Sequence, residues 1–217
     1  FASLGGEMTN TVTLASEHDS ADIKTFLERA EKLGCEHVWL VGAGSALAAY
    51  VAVLTPQGLL DVAPTVLGLR VFERVETNTL DTVVQVRAML DRLAHDPLVI
   101  PLPVGQAGIA WTGVAPPRAN WAPAGTLLEI ELQLTAKASI EEVAKANGLG
   151  TNIVTAVREE VWRRPLNVQK SEQNLTVPAG VAFAGFGLGF LDTGIAQVTT
   201  SGAWTRIATA RGHILVK

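Results

Sequence analysis

Apolar and polar positions follow a helical period in some segments and a strand period in others, and one stretch has no polar position at all. Residues 179–191, Ala-Gly-Val-Ala-Phe-Ala-Gly-Phe-Gly-Leu-Gly-Phe-Leu, carry no charged or polar side chain. Phe183, Phe186 and Phe190 are spaced three then four apart, which places them on one helical stripe. Ala184 and Leu188 fall on another side, so the predicted helix has no polar face and must be covered all round. Pro178 suits its first turn, where a missing N–H leaves no bond unmade. Gly185, Gly187 and Gly189 each weaken a helix by ~1 kcal/mol relative to alanine. Their alternation with Phe186 and Leu188 makes a strand the rival reading. The helix is preferred, with close packing of neighbouring chain at the glycines.

The rest of the chain predicts further elements in order. A short strand fits Thr11–Leu14. The first helix fits 21–33, with Ile23, Phe26, Leu27, Ala30 and Leu33 on one face, Asp19 or Ser20 as cap and Gly34 closing it. His37–Val41 and Leu47–Leu54 read as strands around the turn Gly42-Ala43-Gly44-Ser45. A second turn is expected at Thr55-Pro56-Gln57-Gly58 and a third strand at Thr65–Glu73. A second helix fits 79–94, with Leu80, Val83, Val84, Leu90 and Leu93 inward. Leu128, Ile130, Leu132 and Leu134 alternate with Glu129, Glu131 and Gln133, which predicts a strand over Leu127–Leu134 with one wet face. Ser139-Ile140-Glu141-Glu142 reads as a capping box opening a third helix. Gly148 and Gly150 break it, and a fourth helix follows over 151–162. Residues 165–177 read as a loop. Strands close the chain at Ile195–Thr200, Ala203–Thr209 and Gly212–Val216.

The segment 96–125 differs in kind. It holds Pro97, Pro101, Pro103, Pro116, Pro117 and Pro123, six of the ten prolines, together with Trp111 and Trp121. Such proline density blocks both helix and strand ladders. These patterns together predict an α+β fold, with helices packed on a largely antiparallel sheet. Two helix–three-strand halves, 1–95 and 126–217, would flank the connector 96–125, in one unit or intimately joined.

Composition narrows the function classes. Apolar residues make up 48% and charged residues 18%, which argues against intrinsic disorder. The net charge of −4 gives no general attraction to nucleic acid or anionic lipid. Residues 1–100 hold 7 Lys+Arg against 13 Asp+Glu, and residues 101–217 hold 10 against 8, so the halves could attract one another within or between chains. One cysteine, Cys35, excludes an internal disulfide and points to a reducing, cytoplasmic compartment. The start, Phe-Ala-Ser-Leu-Gly-Gly, lacks the basic end and apolar run of a signal peptide. No apolar run reaches the ~20 residues of a membrane span.

Candidate sites are few. Trp111, Arg118 and Trp121 lie close in sequence, and two indoles with a guanidinium could form a cation–π or anion pocket; the alternative is that the tryptophans pin the connector to the sheet. Val38–Leu47, with Gly42-Ala43-Gly44, resembles the start of a dinucleotide fold, with Asp61 placed for a ribose. Leu47 stands where that motif needs a small residue, which favours a glycine hairpin. Glu142-Val143-Ala144, Gly148-Leu149-Gly150 and Val154 resemble the helix-turn-helix of bacterial repressors. A DNA-reading pair would show Thr151, Asn152 and Thr155 to solvent, whereas a structural pair would bury Val154, Val157 and Val161. No basic residue precedes Arg158 in that helix, which argues against phosphate contacts. His18, His37, His95 and His213 lack metal-ligand spacing. Ser45 lacks the flanking glycines of a nucleophile elbow. Cys35 and His37 could share a strand face as a reactive pair, and Arg211-Gly212-His213 could meet a ligand or simply turn between strands.

The tail, Gly202-Ala203-Trp204-Thr205-Arg206 and Arg211-Gly212-His213-Ile214-Leu215-Val216, is similar to the ending of a family of uncharacterised actinobacterial proteins. Pro178-Ala179-Gly180 and Trp111-Thr112-Gly113-Val114 with Pro116-Pro117-Arg118 fit the same family. The resemblance implies a cytoplasmic bacterial protein and carries over no catalytic residue. The expected function is a non-catalytic intracellular protein that binds a protein partner, a second copy of itself or a small ligand, with no cofactor and no metal. The alternatives are a small-molecule enzyme or binder at the Pro/Trp connector and a helix-turn-helix DNA-binding protein.

Overall fold

The computed structural model describes residues 11–56, 63–113, 115–146, 148 and 150–217, without the side chains of Thr151 and Asn152. The turn expected at Gln57-Gly58, the ribose position Asp61 and the first ten residues lie outside the described residues. After β1 (Thr11–Thr13), Ser16 accepts a hydrogen bond from the Asp19 N–H and starts α1 (Glu17–Lys32), three residues before the cap expected from sequence. Gly34, with φ of 82°, turns the chain out of α1 as expected. β2 (His37–Ala43) and β3 (Ala46–Leu54) form a hairpin closed by Gly44, whose φ is 56°. β4 (Val66–Glu73) follows antiparallel to β3.

The second expected helix divides in two. β5 (Leu80–Gln85) is a strand against β2, and only α2 (Val86–His95) is helical. Val83 and Val84 lie on opposite faces of β5, and both are buried because the sheet is covered on both sides there. A two-sided strand hides its period, so the apolar run imitated a helix. β6 (Val99–Pro101) lies within the connector, and a 3-10 turn spans Ala110–Gly113. β7 (Ala122–Leu128) covers only the first two residues of the strand expected over Leu127–Leu134, and the rest of that segment is helical, in α3 (Glu129–Lys145). The inward residues are Glu129, Leu132, Ala136 and Ser139, a helical spacing, whereas Ile130 and Leu134 are 44% and 60% exposed. The alternation misled because a charged residue, Glu129, points inward. Its carboxylate accepts the Asp192 N–H, and its own N–H donates to the Gly194 carbonyl. Ser139 is therefore inside α3 and not a cap, and Glu142 pairs with Arg164.

α4 (Thr151–Arg163) follows, then β8 (Pro165–Asn167) and β9 (Thr176–Pro178), which pair with one another in the segment expected as loop. The apolar stretch forms α5 (Gly180–Gly187), shorter than expected. Gly189, with φ of 71°, ends it. Phe190 then leaves the helix and stacks on Phe26 of α1 at 5.9 Å, whereas Phe183 stacks on Trp162 at 4.7 Å. The three phenylalanines thus do not share a stripe. β10 (Ile195–Ser201), β11 (Trp204–Ala208) and β12 (His213–Val216) complete the chain.

The fold is α+β. Eight strands form one sheet in the order β5-β2-β3-β4-β12-β11-β10-β7, and every pairing among the described residues is antiparallel. The four strands on one side precede the connector and the four on the other contain or follow its end. They meet at β4 and β12, where Gly68 opposes Ile214 and Leu67 opposes Leu215. The main core lies between one sheet face and the helices α1, α2, α3 and α5. Phe26, Met89, Leu132 and Val181 supply the helix side, and Leu40, Val51, Ile207 and Ile214 the sheet side. β1–β6 and β8–β9 are small separate pairs.

A methyl group added at Gly185 would stand 3.0 Å from Ile214 Cδ1 of β12 and 3.0 Å from Leu191 Cδ2. Gly185→Leu is expected to cost ~1–3 kcal/mol or more through overpacking. The measurement is the urea midpoint, with sedimentation unchanged. An equally stable variant would show that α5 is not covered at this point.

Candidate functional site

The sheet face opposite the helices carries an aromatic surface that spans both halves. Residues paired across strands share a face. One such row runs Val83, Trp39, Tyr50, Leu69, His213 and Ala208, from β5 to β11. The next runs Ala52, Leu67, Leu215, Arg206, Thr199 and Pro123, from β3 to β7. Trp204 stands two residues from Arg206 on the same strand and is buried against Leu67 and Leu215.

The connector lies over these rows. The Gln106 N–H donates to the Val83 carbonyl at 2.7 Å, closing the open edge of β5. Trp111, half-buried, meets the Trp39 ring edge-on at 6.4 Å and packs also on the Leu67, Trp204 and Leu215 group. Trp39 in turn stacks at a tilt on Tyr50 at 5.1 Å and donates from Nε1 to Asp81 at 2.7 Å. Trp121, also half-buried, reaches the same group and donates from Nε1 to the Pro117 carbonyl at 3.2 Å. The Arg206 guanidinium sits 4.6 Å over the Trp121 ring, and its Nε donates to Thr199 at 3.2 Å. Arg118 is exposed. Its charge reaches Tyr50, where it offsets part of the rise in pKa that burial causes. Among the described residues neither Arg118 nor Arg206 has a carboxylate within ion-pair distance.

Trp111 and Trp121 thus come together on one apolar group, while the cation on Trp121 is Arg206 and not Arg118. Sequence reasoning missed Trp39, Tyr50, Trp204 and Arg206 as parts of the same surface. Their one signal was the strand period, which places alternate residues on one face. Which strands then lie side by side has no local signal.

The other candidates resolve differently. Gly42 and Ala43 end β2 and Gly44-Ser45 make the hairpin turn, followed by a strand and not by the helix a pyrophosphate needs. Gly42 has no side chain because the Arg74 guanidinium lies against it. Arg74 is 2% exposed and donates to the Gly44 carbonyl at 3.2 Å and to the side-chain and backbone oxygens of Asn78. Cys35 is buried, and burial pushes its thiol up to about 12, away from thiolate chemistry at neutral pH. In the helix pair α3–α4, Val161 is fully buried, Val154 and Val157 are half-buried and Thr155 is exposed. The expectations for Thr151 and Asn152 side chains lie outside the described residues. Among the described residues no three His, Cys, Asp or Glu side chains gather as a metal would need, and no helix is long and apolar enough to cross a membrane.

Residues 8–113 match the model of a domain of unknown function, DUF8010, and residues 116–217 match that of a second, DUF8185. No curated protein matches the sequence. Solved structures match the fold. A putative DNA polymerase III beta subunit from Eubacterium rectale superposes with a TM-score of 0.56 at 6% identity, over 95% of this chain and 64% of that one. A beta clamp from H. pylori in complex with 5-chloroisatin gives 0.52 at 10% identity, over 95% and 62%. A sliding clamp from Bartonella birtlesii bound to griselimycin gives 0.51 at 7%, over 94% and 63%. The chain spans less than two thirds of each of these structures, and at such identity the likeness is one of fold.

His213 supplies a test of how this surface is packed. Its Nδ1 is buried without a hydrogen-bond partner. Burial, and then the charge of Arg206, hold the imidazole below its ordinary value of 6.5. The unfolded chain therefore takes up the proton more readily. Stability is at its full value above pH 6.5 and falls as the pH drops from 6.5 toward the folded-state value. His213→Gln is expected to flatten that part of the curve of urea midpoint against pH. An unchanged slope would mean that His213 titrates alike in both states.

Proposed function

We propose that this chain is a non-catalytic binding protein whose docking surface is the connector-covered sheet face, and that its partner is an acidic chain segment with apolar side chains. The observation that carries this is the pairing of half-exposed Trp121 with the Arg206 guanidinium, beside half-exposed Trp111 on the same apolar group, with neither Arg206 nor exposed Arg118 holding a carboxylate among the described residues. Tryptophan and arginine are the residues that most often dominate binding energy. Loops held by a rigid sheet are where binding groups concentrate. The fold shared with sliding clamps, themselves subunits of a polymerase, is in keeping with a scaffold that works through partners. That analogy rests on fold alone. Direct binding of duplex DNA is disfavoured, because acidic residues outnumber basic ones on the helices and the net charge is −4. The actinobacterial and cytoplasmic assignment rests on the resemblance of the tail and on the single cysteine. Self-association, the other partner consistent with the fold, is read by sedimentation.

The test uses a synthetic peptide of glutamate and leucine and follows tryptophan fluorescence. Trp121→Ala is expected to weaken binding by ~2 kcal/mol, roughly thirtyfold, with little change in thermal midpoint. A large drop in midpoint without loss of binding would mark the tryptophans as structural pins. Arg118→Glu, at an exposed position, is expected to reduce binding with the fold intact. Unaltered, salt-insensitive binding by that variant would rule out the acidic partner.

A further inference from the structure

A second site lies away from Trp111 and Trp121, neither of which lines it. α4 packs on α3 and α5 and leaves a cleft of about 420 Å³ beside the ends of α1 and β3. Leu33, Val53, Leu54 and Phe183 supply apolar walls, and Arg158 and Trp162 of α4 close one side. This volume falls in the range of small-molecule sites.

Three features of the lining point to a ligand class. Trp162 Nε1 is buried with no hydrogen-bond partner, and an unmatched buried donor in a native fold calls for an acceptor. The Trp162 ring is held between Phe183, stacked at 4.7 Å, and the Arg158 guanidinium, 5.1 Å from the ring centroid. Arg158 has no carboxylate within ion-pair distance among the described residues. Arg163 also lines the cleft, against one lining carboxylate, Glu159, so the lining is net positive.

We propose that this cleft binds a small amphipathic carboxylate, such as a medium-chain fatty acid. The carboxylate accepts from Arg158 and Trp162 Nε1, and the hydrocarbon lies along Leu33, Val53, Leu54 and Phe183. A guanidinium supplies the charge-assisted bond, and the apolar walls supply burial of the chain.

The probe is decanoate, titrated below its micelle concentration by calorimetry and tryptophan fluorescence, with decanol as the uncharged comparison. Saturable one-to-one binding of decanoate is expected, with decanol much weaker. Trp162→Phe keeps an aromatic ring and removes the donor, and Arg158→Gln removes the charge at an exposed position. Each is expected to weaken decanoate by about tenfold or more, with the thermal midpoint of the free protein preserved. Absence of saturable decanoate binding overturns the proposal. So does decanol binding as tightly as decanoate, or wild-type affinity in either variant. The partner-binding surface is read separately with the glutamate–leucine peptide, whose binding Trp162→Phe leaves unchanged.

Discussion

The pairing of β4 with β12 is the constraint on which the rest of the structure depends. It joins four strands from before the connector to four that end or follow it, and without it the chain would be two small open sheets. α5 is built for this seam. Gly68 on β4 has no side chain because Leu188 occupies the space above it, and Gly185 on α5 has none because Ile214 of β12 rises toward it. A helix without a polar residue is tolerated here because most of it is covered, by the seam beneath, α3 and α4 beside it and Leu33 of α1 at Gly187, with Phe183 and Phe186 left half-buried. Phe190, just past the helix, carries the contact on to Phe26. The packing of α5 thus stabilises the link between the strands on either side of the seam and closes the core they share.

Joining the halves on one face creates a single continuous surface on the other. The row from Val83 to Ala208 crosses the seam between Leu69 and His213, and the adjacent row crosses it between Leu67 and Leu215. Neither half alone carries the whole aromatic set, since Trp39 and Tyr50 come from the first and Trp204 and Arg206 from the second. Apart from β6, which pairs with β1, and the start of β7, the proline-rich connector joins no ladder among the described residues. It therefore lies across this face as irregular chain and contributes Trp111 and Trp121, whose rings bury against the sheet and leave part of their surface exposed. An apolar face of this size needs a cover. The connector contributes Ile109, Trp111 and Trp121 to that cover, and Arg206 lies over the Trp121 ring.

The likeness to sliding clamps is one of architecture, with identity as low as 6%. Folds of this kind are specified by the alternation of strand faces and the placement of helices on one side, which many sequences satisfy. Beyond the fold, this chain carries local chemical features: a buried Arg74 filling the space over Gly42, a connector anchored by tryptophan, and the cleft beneath α4 with its unmatched indole N–H.

The amino-acid sequence by itself determined the elements with a single clear period or a sharp terminus. The first helix, the hairpin around Gly44, and the three closing strands were legible because one face of each was apolar and glycines marked the turns. The antiparallel α+β class followed from them, as did the gathering of Trp111 and Trp121 in one connector. Only the tertiary structure decided the elements whose surroundings broke the pattern. β5 imitated a helix because both of its faces are covered. The start of α3 imitated a strand because Glu129 turns inward to bind the backbone of residues 192–194 while Ile130 and Leu134 turn outward. Arg206 and Trp121, 85 positions apart in the numbering, meet because β10 lies between β7 and β11. A period along one segment records which side is buried. It holds no information about which distant strand provides the burial.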